Sequence, residues 1–307
     1  MPLVLDGEKG GFYSVILGSN KTGWISKNSV KFVDFGASLA TMNGFDTLDT
    51  PEFKIYVFHL NKMTPFELVE GNPFTIKIFN VENQPENTYK LQIPLQKLYG
   101  YSGRFSGTDF VVKIRKTPPI DKTKPLKGIK ITIDAGHGGS ESGAIGCLGN
   151  LEKNTMLEFA KHLERELKHR GAIVFMTRED DSYVGLRDRV DFANDEDSVF
   201  LISLHGNALP DGLDPIANNG TEVYYYYNQA KPLADLVLSE ITTQTGMNNH
   251  KVRQASFALV RNTNALSILI EIGFLINPSD NAKLVDKEFQ EKTVSAIADG
   301  ISNFLKN

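Results

Sequence analysis

Apolar and polar residues follow two different periods along this chain, and the change of period divides it. Between residues 54 and 116 the period is two. The runs FKIYVFHL, PFTIKIFNV, TYKLQIPL and DFVVKIRK place apolar side chains at alternate positions and are separated by Gly, Pro and Asn clusters. Alternation bounded by turn residues predicts β-strands, so residues 37–116 are expected to form a small all-β domain. Residues 11–17, 22–26 and 30–33 read as further short strands, the first two joined by a turn at Gly18, Ser19 and Asn20. Beyond residue 127 the pattern changes. Residues 129–133, 172–176 and 199–204 are continuous apolar runs of strand length, whereas 152–170, 232–245 and 282–305 carry helical spacing, as in Met156, Phe159, Ala160, Leu163 and Leu167. Gly171 is placed to cap the first of these helices. Strands alternating with helices predict an α/β fold over residues 128–307, a mostly parallel sheet flanked by helices on both faces. Residues 117–127 hold Pro118, Pro119 and Pro125 among polar residues and are expected to be a semi-rigid linker.

Composition narrows the classes without choosing one. With 41 % hydrophobic and 23 % charged residues the chain is neither disordered nor membrane-embedded in character. A net charge of -4 gives no general attraction to nucleic acid, so no nucleic-acid partner is expected. No apolar run reaches the roughly 18 to 20 residues of a spanning helix, and Met1 is not followed by a basic start and an apolar core. An export signal and further sequence are expected upstream of Met1, because the chain opens in what reads as the middle of a β-module. The single cysteine, Cys147, excludes an internal disulfide and is expected to be a small apolar filler.

The chemistry lies where apolar strands run out. His137 follows residues 131–136, His205 follows residues 199–204, and Glu271 follows residues 267–270. In open α/β sheets the carboxyl ends of the strands are where ligands sit. Two imidazoles and one carboxylate form an open zinc site whose fourth position is left for water. Glu152 supplies the carboxylate: it opens a helix after the glycine-rich stretch 138–149, long enough to return over the sheet edge. Glu271 is then suited to take a proton from water and pass it to a leaving amine. Each residue alone has a plainer explanation, Glu152 as a first-turn acid answering the helix dipole and either histidine as a hydrogen-bonded core residue. Their joint placement favours the metal site. The tyrosines at 224–227 read as one strand with two rings on each face, while His59, His162 and His169 fall away from these strand ends.

Five strings together, ITIDAGHGGSESGAIGCLGNLEK, FMTRED, LRDRVDFAN, FLISLHGNA and ILIEIGFLINPSDNAKL, resemble the zinc N-acetylmuramoyl-L-alanine amidases of the Amidase_3 type over roughly residues 128 to 307. KTGWISKNSVKFVD is similar to the closing strands of bacterial Src-homology-3-like wall-binding modules, so residues 1–36 are expected to be a fragment of one. The first resemblance implies one zinc ion on His137, Glu152 and His205, catalysis by Glu271, and substrate contacts from Asn207 and Arg253. His250, Lys251, Val252 and Arg253 stand where many relatives have Arg-Gly-Val-Lys, which leaves the role of that segment open. The implied enzyme is a hydrolase that cleaves the amide between the lactyl group of N-acetylmuramic acid and L-alanine. It is secreted, is an autolysin-like monomer of the cell envelope, and has peptidoglycan or muropeptides as its partner. Two alternatives stay open: a silent wall-binding protein, and a zinc hydrolase of another amide.

Overall fold

The computed structural model describes residues 4–18, 21–30, 38–210 and 212–307. It divides into two compact units, Met1–Lys116 and Thr117–Asn307. Residues 31–33 of the strand expected at 30–33, and Ser19 and Asn20 of the expected turn, lie outside the described residues, while Val30 caps a short 3-10 turn.

In the first unit, β1 (Val4–Lys9), β2 (Phe12–Gly18) and β3 (Lys21–Ser26) form an antiparallel sheet in that order. Two more antiparallel sheets follow. One has the order β4 (Met42–Asp49), β5 (Phe53–Leu60), β10 (Asp109–Arg115), β9 (Tyr101–Ser106). The other runs β6 (Phe66–Val69), β7 (Phe74–Phe79), β8 (Thr88–Ile93). Alternate residues of the two sheets meet in one core, with Phe58, Phe74, Ile76, Ile78, Phe110 and Val112 fully buried. That is the outcome of period-two patterning when one face of each sheet is covered.

The second unit is α/β. Its strands are β11 (Lys130–Ala135), β12 (Ile173–Met176), β13 (Phe200–Asn207), β14 (Thr221–Tyr225), β15 (Asn249–Gln254) and β16 (Leu266–Phe274). The order across the sheet is β12-β11-β13-β16-β14-β15, parallel throughout except where β14 runs against β16. The helices are α1 (Glu152–His169), α2 (Leu186–Asp195), α3 (Lys231–Thr245), α4 (Pro278–Leu284) and α5 (Lys287–Lys306). Phe200 stacks edge-to-face on Phe304 of α5, and its neighbour Leu201 packs with Ala193 of α2. Successive residues of a strand point to opposite faces, so helices cover both. Gly171 stands just past the Arg170 cap with φ +91°, the conformation a helix stop requires.

Several details depart from the sequence expectation. The helix expected at 282–305 is two helices, because Asp286 accepts a hydrogen bond from the Phe289 amide and starts α5 afresh. The expected linker contains Leu126, which is 1 % exposed and lies in the second unit. Only Tyr224 and Tyr225 belong to β14; Tyr226 and Tyr227 follow it and stack edge-to-face on each other. Cys147 is exposed rather than a filler.

Candidate metal centre and active site

β11 carries Asp134, fully buried, and the chain then leaves the sheet at Gly136. His137 follows with φ +60°, a left-handed conformation that costs a non-glycine residue about 1 to 2 kcal/mol. Two buried arginines hold this path. Arg178 donates from Nε to the Ala135 carbonyl (2.9 Å) and from Nη2 to that of Gly136 (2.8 Å). Arg189 donates to the carbonyls of Ala135 and His137, both at 2.7 Å. Arg189 is balanced by Asp134 at 2.7 Å, whose carboxylate also accepts from Thr177 (2.6 Å) and Ser203 (2.7 Å). A buried charge pair with this many satisfied groups sets a geometry more than it adds stability.

Glu152 sits at the first position of α1, 4 % exposed. Its Oε1 lies 2.9 Å from His205 Nδ1 and 3.1 Å from His137 Nε2, and also accepts from the Gly206 amide at 3.1 Å. Its Oε2 accepts from the Ala144 amide at 2.8 Å, so the glycine-rich loop is tied to the carboxylate it delivers. Burial alone raises the Glu152 pKa, but hydrogen bonds from His137 and His205 outweigh it and hold the carboxyl far below its usual range. For His205 burial pulls the pKa down, but the bond with Glu152 and the charges of Glu271, Glu152 and Asp134 together outweigh it and leave it raised. One donor atom from each of His137, Glu152 and His205 lies within 4.8 Å of the others. The two imidazole rings meet edge-to-face with centroids 5.0 Å apart. Gly143, at φ +66°, passes so near that a Cβ there would stand 2.5 Å from Glu152 Oε2 and 2.6 Å from His137 Cδ2.

His205 and Glu271 are not beyond strand ends, as their positions after apolar runs suggested, but inside β13 and β16, directly opposite each other. Parallel pairing carries β13 three residues past Leu204 and β16 four residues past Ile270. Glu271 is in turn opposite Glu222 of β14. Its Oε2 is buried and has no hydrogen-bond partner among the described residues. Desolvation pushes its carboxyl up to about 7; His205 opposes this, and the charges of Glu152 and Glu222 add to it. An unpartnered buried oxygen on a carboxyl that feels the charges of His205 and Glu152 is a position a cation, water or substrate atom would satisfy.

Asn207 and Arg253, the remaining sequence candidates, come together on a residue the sequence reading did not single out. Asn207 Nδ2 donates to Glu222 Oε2 at 2.9 Å, and Arg253 Nε donates to Glu222 Oε1 at 2.7 Å. The sequence signal for Glu222 was a lone acid in an otherwise apolar and aromatic strand. Arg178 and Arg189 stood inside recognised strings without a role. Of the other histidines, His59 lies between Asp46 and Asp109 in the first unit. His162 and His169 lie on α1.

Comparison with known proteins gives the chain's family. A protein of Staphylococcus epidermidis named "Probable cell wall amidase LytH" is 35 % identical over 194 residues, 62 % of this chain and 64 % of that protein. Its namesake in Staphylococcus aureus is 36 % identical over 190 residues, 60 % of this chain and 62 % of that protein. The chain thus spans under two thirds of the length of these relatives. Among solved structures, the N-acetylmuramoyl-L-alanine amidase AmiC2 of Nostoc punctiforme superposes with a TM-score of 0.56 at 33 % identity, covering 62 % of this chain and 100 % of that one. The catalytic domain of the amidase CwlV from Bacillus (Paenibacillus) polymyxa var. colistinus gives 0.54 at 35 %, covering 58 % and 98 %. The family profile of N-acetylmuramoyl-L-alanine amidases matches residues 131–303, the span that holds every residue of the cluster, and the chain belongs to that family.

Proposed function

We propose that this chain is a zinc-dependent peptidoglycan hydrolase of the cell envelope, cleaving the amide between the lactyl group of N-acetylmuramic acid and the L-alanine of the stem peptide. The observation that carries this reading is the meeting of His137, Glu152 and His205 beside the unpartnered oxygen of Glu271. Two nitrogens and one carboxylate oxygen, with Glu152 ionised, fit a zinc ion with an open coordination position. Bound there, zinc supplies Lewis acidity to the scissile carbonyl and makes water acidic near neutral pH.

The chain's own residues do the rest. Arg178 and Arg189 keep the Ala135–His137 backbone in its strained path and so aim the His137 ring. Glu152 orients both imidazoles through one oxygen and the loop through the other. Glu271 Oε2, unused by the fold, takes a proton from the attacking water and returns it to the departing amine. Its pKa near 7 suits a group that must gain and lose a proton at neutral pH. Asn207 and Arg253 line the adjoining wall as substrate contacts.

The test joins metal content to product identity. The loaded protein is expected to hold one zinc per chain and to release free stem peptides beginning with L-alanine from peptidoglycan, as read by mass spectrometry. His205→Ala should lose both properties. Stoichiometric zinc and full activity in that variant would refute the ligand set, and cleavage within the peptide would refute the substrate bond.

A further inference from the structure

Glu222 is 3 % exposed, yet it is ionised and takes part in four contacts. Oε2 accepts from Tyr224 Oη at 2.7 Å and Asn207 Nδ2 at 2.9 Å; Oε1 accepts from Arg253 Nε at 2.7 Å and lies 2.5 Å from His250 Nδ1. These partners come from β13, β14 and β15, residues far apart in the chain. Burial by itself raises the Glu222 pKa; the bonds from Tyr224 and His250 and the charge of Arg253 outweigh it and leave it lowered. Burying an anion among donors gives less stability than well-packed apolar side chains of the same volume. Fold stability alone therefore does not account for a glutamate here.

Orientation does account for it. Glu222 is the direct cross-strand neighbour of Glu271, so its partners stand about one to two strand spacings, ~5 to 10 Å, from the proposed base. His250 and Arg253 are held by one end, whereas Asn207 also accepts from the Ala208 amide and Tyr224 spends its hydroxyl on Glu222 and packs its ring on Phe257. No further hydrogen bond among the described residues uses the terminal nitrogens of Arg253 or the Nε2 of His250, and the two side chains stay 43 % and 29 % exposed. His250 is also braced edge-to-face against Phe274. Side chains anchored on a buried charge with their outer ends free make a preformed binding wall, which spares substrate the cost of ordering them.

We propose that Glu222 is a positioning residue that fixes His250 and Arg253 as a substrate-binding wall beside Glu271, with Asn207 and Tyr224 bracing the same carboxylate. This rests on the amidase reading above for the identity of the substrate. Losing the anchor should weaken binding while leaving the proton shuttle in place.

The experiment compares Glu222→Gln, Glu222→Asp and Tyr224→Phe with the parent, in the zinc-loaded full chain acting on a soluble N-acetylmuramoyl peptide. Glu222→Gln keeps the volume but loses the charge. It should raise KM about tenfold with kcat within about threefold, while zinc stays at the parent's level. Glu222→Asp, which keeps the charge, should recover part of the loss, and Tyr224→Phe, which removes one of four contacts, should raise KM about twofold. KM does not depend on the fraction of active protein, so a partly folded variant still reports. Binding of the same peptide is then measured in a Glu271→Gln background, with and without Glu222→Gln, and the added substitution is expected to weaken Kd about tenfold. If the parent cleaves nothing, or another bond, the amidase reading fails while this binding comparison still decides the role of Glu222. Unchanged KM and Kd in Glu222→Gln, or a fall in kcat alone that tracks lost folded protein, would overturn the proposal.

Discussion

His137 and Glu271 store two kinds of unfavourable free energy at one place, a left-handed backbone at the first and an unpartnered buried oxygen at the second. Strain and unsatisfied groups persist where the surroundings over-determine them, and they mark function when a ligand can relieve them. For Glu271 the consequence can be read in its titration. A folded pKa raised from 4.5 to about 7 means that the metal-free folded chain binds this proton more tightly than the unfolded chain does. The stability from this group is therefore full below pH about 4.5 and lost as pH rises through about 7. Zinc nearby favours the carboxylate and moves the transition down. Infrared titration of the carboxyl band that Glu271→Gln removes should show a midpoint near 7 without metal and a lower one with it. An ordinary carboxylate midpoint in the metal-free protein would contradict the desolvation argument. The same substitution should cut turnover by about 10² to 10⁴-fold, the range of a general base, and keep zinc. Zinc lost with the carboxylate would make Glu271 a ligand.

At the scale of elements, the glycine-rich loop decides whether α1 can bring Glu152 to the two histidines. Gly143 meets both demands that favour glycine, a positive φ and a backbone too close for a Cβ. Gly143→Ala is expected to push Glu152 away from His137 and lower zinc affinity at least about tenfold, as loss of a ligand's support commonly does. Competition with a chromophoric chelator measures this, and undiminished affinity would show that the loop adapts. The strands divide by how much of their pattern reaches the sequence. β5, β7 and β10 are central in their sheets and were legible from alternation. β4, β6 and β9 are edge strands and were not, since an edge strand needs little apolar content, although the edge strand β8 kept enough alternation to be read; β4 is exposed along nearly its whole length. β13 and β16 ran further than the apolar runs read at 199–204 and 267–270 because mutual pairing carried them through His205 and Glu271.

For the whole molecule, every proposed ligand and the proposed base lie in the second unit, so the first should be dispensable for chemistry and useful for holding the enzyme on its polymer. A fragment of residues 117–307 is expected to hydrolyse a soluble muropeptide as the full chain does and to digest intact sacculi more slowly. Loss of activity on the soluble substrate would contradict this. A fragment of residues 128–307 lacks Leu126, whose burial stabilises the unit by about 1.5 to 3 kcal/mol, and should melt at a lower temperature than the longer fragment. Equal melting temperatures would show that Leu126 contributes nothing. The α/β class, most of the alternation of strands and helices, and the donor types at 137, 152, 205 and 271 were determined by the sequence alone, whereas α2 and β15 were not read from it. Spacing of apolar residues records burial locally, and a histidine or carboxylate after an apolar run is conspicuous by itself. Tertiary structure alone decided that Arg178 and Arg189 hold the His137 backbone, that His205, Glu271 and Glu222 form one row across three strands, and that Glu222 gathers Asn207, Tyr224, His250 and Arg253. Those contacts depend on strand order and register between segments tens of residues apart, and the local spacing of residues carries no record of either.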